Sequence, residues 1–76
     1  MSKMKKILRE LGYKSFLDMG CKAWTKDFNL FRLTIAQLPV SHEYVACIVI
    51  GKTEISIPKY VNEDWLINFD KENNKP

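Results

Sequence analysis

Apolar, largely β-branched residues run through 44–50 (YVACIVI) and alternate with polar ones through 53–57 (TEISI). Between them stands Gly51-Lys52, a two-residue loop with glycine first, which predicts a β-hairpin closed by a type II′ turn. That turn pairs Ile50 with Thr53, Ile48 with Ile55 and Ala46 with Ile57. Side chains alternate across a strand, so these residues, Thr53 apart, form one apolar face, with Ile48 expected near-fully buried at its centre. The reverse face carries Val45, Cys47 and Val49 opposite Glu54 and Ser56. A two-layer domain leaves one sheet face to water, so this apolar trio predicts cover of some kind. The candidates are a turn at residues 15–19, the C-terminal helix, a second copy of the chain, or a partner.

The period changes on either side of the hairpin. Met4, Ile7, Leu8 and Leu11 follow helical spacing, which predicts an amphipathic helix from a Ser2 cap to about Leu11, ended by Gly12. Ser15 with Asp18 three residues on resembles a capping box, so a short helical turn closed by Gly20 is expected there. Residues 21–28 alternate, with Lys22, Trp24, Lys26 and Phe28 on one side. Phe31, Leu33 and Ile35 alternate in a shifted frame, which calls for a bulge, a turn near Asp27-Phe28-Asn29, or both. Strand is the reading for 30–38, and a helix from an Asp27 cap is its alternative. Pro58 ends the hairpin, and Asn62 caps a C-terminal helix with Glu63 and Asp64 in its first turn. Val61, Trp65, Leu66 and Phe69 support that helix, although a strand through 65–69 also fits. Residues 71–76 read as a polar, frayed tail.

These elements predict an α+β fold in one domain spanning 1–76. An N-terminal amphipathic helix packs on a three-stranded antiparallel sheet, and a C-terminal helix follows. The order α-β-β-β-α is shared with double-stranded-RNA-binding domains. Their final helix begins lysine-rich, whereas here it begins Asn62-Glu63-Asp64, so no family is assigned.

Composition narrows the function more than it defines it. A chain of 76 residues buries only about 60% of its unfolded surface, which leaves few side chains to build a deep catalytic pocket. The formal charge of +3 is unevenly spread: residues 1–32 hold eight Lys/Arg against three acids, and residues 33–76 hold four against six. A basic half suits an acidic partner or nucleic acid, and equally suits the solvated side of a helix. The basic start lacks the apolar core of a signal peptide, and no apolar run approaches the roughly 20 residues of a membrane span. Cys21 and Cys47 form no disulfide framework, so both are expected free, Cys47 as a buried, inert thiol, in a cytoplasmic protein.

Three groups of residues invite a chemical reading. Gly51-Lys52-Thr53 ends like a phosphate-binding loop, but Ala46 stands where that motif needs glycine. Ser41-His42-Glu43 has the residue types of a hydrolytic triad, yet adjacent residues cannot aim at one another in that geometry. The acids Glu63, Asp64, Asp70 and Glu72 most simply solvate the C-terminal helix. The stripe of Lys22, Trp24, Lys26 and Phe28, with Tyr13 and Lys14 nearby, alternates cations and aromatic rings. Such a stripe suits an acidic protein surface or base stacking. It also results when aromatic core residues are flanked by lysines that snorkel to solvent. The expectation is a non-enzymatic protein that binds a protein partner stoichiometrically, as an inhibitor, antitoxin-like factor or adaptor. A nucleic-acid-binding regulator is the alternative, and homo-oligomer formation through Val45 and Val49 a further outcome. No cofactor, metal or membrane is called for.

Overall fold

A computed structural model describes residues 3–74. The order is α1 (Lys3–Glu10), β1 (Lys14–Asp18), β2 (Cys21–Asp27), β3 (Arg32–Gln37), β4 (Tyr44–Ile50), β5 (Thr53–Ser56) and α2 (Glu63–Asn73). The strands form one antiparallel meander in the order β1-β2-β3-β4-β5. The fold is α+β, with five strands in place of the expected three, and this removes the α-β-β-β-α order.

The hairpin has the expected register: Ile50 pairs with Thr53 and Ile48 with Ile55. Gly51 takes φ 60°, as a turn with glycine first requires. The Ile57 N–H donates to Ala46 O at 2.9 Å, which continues the ladder. Residues 21–27 are a strand, and 15–18 belong to another rather than to a helical turn. Met19 (φ 52°) and Gly20 (φ 84°) make a two-residue turn that folds β1 onto β2. Pairing along five residues satisfies more backbone groups than one isolated helical turn, which is why the capping-box expectation fails. Between β2 and β3 the Phe28 N–H donates to Phe31 O at 2.8 Å, so a tight turn, with Asp27 paired to Arg32, accounts for the frame shift.

Both helices lie on one side of the sheet. Met4 and Leu8 from α1 and Leu66 from α2 join Trp24, Leu33, Ile35 and Ala46 in the core, with Tyr13 and Val61. The N-terminal helix therefore packs against α2 as well as the sheet. The core centres on β3, whose Leu33 and Ile35 are fully buried. Ile48 is only half-buried rather than near-fully buried as expected, and Ile55 is 48% exposed. Asn62 caps α2 as expected, its Oδ1 accepting from the Trp65 N–H at 2.9 Å. The helix continues to Asn73, past the expected start of a tail at 71. Ser2, the expected cap of α1, lies outside the described residues.

Candidate functional site

The sheet register sorts the candidate residues onto two faces. On the helix side stand Lys22, Trp24 and Lys26 of β2, so the cation–aromatic stripe does share one side. It is not an exposed stripe. Trp24 and Tyr13 are each 7% exposed, within the core cluster. Phe28 is half-buried and stacks on Phe31 with centroids 5.1 Å apart, while Phe69 meets both rings edge-on. Lys22 alone of the four is exposed.

Lys26 reaches inward. Its Nζ donates to Asp70 Oδ2 at 2.6 Å, and both side chains are largely buried. The same ammonium lies 5.6 Å from the Tyr13 ring centroid and 5.3 Å from that of Phe28, within range of a cation–π attraction. Asp70 is thus no solvating acid: it is 4% exposed and also accepts from Asn74 Nδ2 at 3.2 Å. Its position four residues after buried Leu66 is the signal that sequence reasoning missed. The Tyr13 hydroxyl is buried without a hydrogen-bond partner among the described residues. Burial first, and the nearby Asp70 charge second, push its pKa well above the ordinary value.

The opposite face of the sheet carries no helix among the described residues. Phe16, Ala23, Ala36 and Val45 form one row across it, and Lys14, Thr25, Thr34, Cys47 and Ser56 the next. Asp27, Arg32, Val49 and Glu54 form a further row, and Asp18 and Cys21 stand at the β1–β2 end. Most of this face lines a broad hollow of about 730 Å³, with Phe16, Ala36, Val45, Cys47 and Val49 supplying its apolar surface. Neither residues 15–19 nor α2 covers the Val45–Cys47–Val49 trio, which is half-buried. Arg32 Nε donates to Asp27 Oδ1 at 2.7 Å on this face, and that bond, with the Asp27 charge, raises the guanidinium pKa. Cys21 and Cys47 are free thiols. Cys47 is half-buried rather than buried as expected; burial first, and the Glu54 charge second, push its thiol pKa up.

The remaining motifs have structural roles. His42 is exposed in the β3–β4 loop with φ 63°, and its N–H donates to Leu38 O at 3.0 Å. Ser41 Oγ accepts from the Glu43 N–H at 3.3 Å, so the trio shapes a loop. Gly51-Lys52 is a hairpin turn. Among the described residues no cluster of His, Cys, Asp and Glu could hold a metal ion, and no helix is long and apolar enough to cross a membrane. No protein-family model, no curated protein and no solved structure matches the chain.

Proposed function

We propose that this protein acts by binding another protein stoichiometrically, as an inhibitor, antitoxin-like factor or adaptor, and performs no catalysis itself. The observation that carries the reading is the uncovered sheet face, where Phe16, Val45, Cys47 and Val49 line an open hollow. Two short helices supply cover for one face of a five-stranded sheet, and both sit on the other side. Apolar surface left on a small chain is costly to keep in water, and a bound partner removes that cost. The rim alternates in sign, with Lys14 and Arg32 among Asp18, Asp27 and Glu54, as suits a protein surface better than a phosphate backbone. Burial of Trp24 and Tyr13 removes the rings on which the nucleic-acid alternative would stack bases.

The test compares immobilised wild type with Val45→Lys/Val49→Lys, both checked for folding by circular dichroism. Wild type should retain one protein in a complex of fixed stoichiometry by native mass spectrometry, and the folded variant should lose it. Equal capture by both would refute use of this face. Retention of RNA or DNA with a steep salt dependence would replace a protein partner with nucleic acid.

A further inference from the structure

We propose that the free edge of β1 is where an extended acidic segment of the partner docks, adding a sixth strand to the sheet. This deepens the reading above and rests on it for the partner being a protein. β1 is the outermost strand, and all five of its residues are exposed. The Met19-Gly20 turn makes Asp18 and Cys21 the hydrogen-bonded pair beside the loop. Bonded and non-bonded pairs alternate in an antiparallel ladder, so Lys14, Phe16 and Asp18 direct their backbone groups to β2. Ser15 and Leu17 direct theirs outward, with no strand to receive them.

The opposite edge is blunted as edges usually are: β5 has four residues and stops at Pro58. β1 has no proline and displays Leu17 at 74% exposure, with Met19 of the following turn at 97%. Beside it, between α1 and the sheet, runs a groove of about 450 Å³ with Lys5, Arg9 and Lys22 among its lining and no acid among the described residues there. Neither Lys5 nor Lys22 has an acidic partner among the described residues.

These features specify the occupant. In an added strand, alternate side chains would face the groove and suit Lys5 and Lys22 as glutamate or aspartate. The intervening side chains would lie beside Phe16 on the open face and suit it as apolar residues. A second copy of this chain is disfavoured, because pairing β1 with β1 about a two-fold axis sets the cationic grooves beside each other. A nucleic acid would leave the outward N–H and C=O groups of Ser15 and Leu17 without a matching backbone.

The probe is a short, end-blocked peptide alternating glutamate and valine, with its lysine–valine counterpart as control. On binding the glutamate peptide, amide exchange at Ser15 and Leu17 should slow. Leu17→Pro removes an outward N–H without touching the β1–β2 ladder and should weaken binding by up to about tenfold. Lys5→Glu/Lys22→Glu should weaken it at least as much and shift preference to the lysine peptide; this variant decides the matter if Leu17→Pro does not fold. The proposal is overturned if the glutamate peptide does not bind, or binds both variants as it binds wild type. It is also overturned if an oligonucleotide takes the groove instead, or if wild type dimerises through β1. Should the peptide fail while Val45→Lys/Val49→Lys still abolishes partner capture, strand addition is wrong and the binding function stands. Should the peptide behave as described while that sheet-face variant captures normally, the open face is wrong and the edge site remains.

Discussion

The Lys26–Asp70 pair joins β2 to α2 across 44 residues of sequence, and severing it should be costly. The side chains are only 16% and 6% exposed, so each charge is largely withdrawn from water and compensated mainly by the other. Removing one partner of such a pair leaves the other buried and uncompensated, which costs about 3–5 kcal/mol. A folded chain of this length has a total stability of about 4–11 kcal/mol, so Asp70→Ala should forfeit a large share of it. At the lower figure of 3 kcal/mol, the melting temperature should fall by about 12–24 °C. The comparison that isolates the cause is Lys26→Met/Asp70→Leu, which removes both charges and keeps the volume. Urea melts of wild type, Asp70→Leu, Lys26→Met and the double variant form a double-mutant cycle. The double variant should be at least as stable as either single one and near wild type. If Asp70→Ala shifts stability by under about 1 kcal/mol, the carboxylate is reached by water and behaves as a surface pair.

Four further outcomes follow from the same structure. Tyr13→Phe deletes a buried hydroxyl that has no partner, so it should raise stability by about 1 kcal/mol in denaturant melts. Because the folded-state pKa of Tyr13 is raised above its unfolded value of about 10, wild type should lose stability as pH rises above 10, where the unfolded chain ionises first; Tyr13→Phe should show a smaller loss. Leu33→Ala, at a fully buried position, should cost about 2–5 kcal/mol, and Ile48→Ala, half-buried, about 1–2 kcal/mol; the reverse order would put the core back on the hairpin. Asn62→Ala removes the acceptor for the Trp65 N–H and should cost about 1 kcal/mol, measured by thermal melting.

What was legible in the sequence was local. The hairpin register follows from one glycine-first turn between two strand-forming runs, and the α2 cap from asparagine before two acids. β1 was hidden because Ser15 and Asp18 have the spacing of a helix cap, and because its turn places Met19, a residue that does not favour positive φ, at φ 52°. Only the long partner strand β2 decides the matter. Alternation puts Lys22, Trp24 and Lys26 on one side, but it does not say which side the helices cover. That depends on contacts between residues far apart in sequence, as does the displacement of the core from Ile48 to Leu33 and Ile35.

The buried pair distinguishes the two sides of the sheet. Both faces of the sheet offer apolar rows: Trp24, Leu33, Ile35 and Ala46 on one, Phe16, Ala36, Val45 and Val49 on the other. Hydrophobic burial alone is non-directional, so it discriminates weakly between two docking sides for α2. Asp70 adds the discrimination, because on the helix side it meets the Lys26 ammonium. On the far side Arg32 is already engaged by Asp27 and Lys14 stands on an exposed edge strand, so a buried Asp70 would meet no largely buried cation there. A charge pair of this kind is best known for fixing register at little net gain in stability. We therefore predict that Lys26→Met/Asp70→Leu keeps its stability while α2 loses its unique seat, giving faster amide exchange at Leu66 and doubled resonances from the sheet. A double variant with a single sharp set of resonances and wild-type exchange at Leu66 would show that packing alone selects the face that remains open.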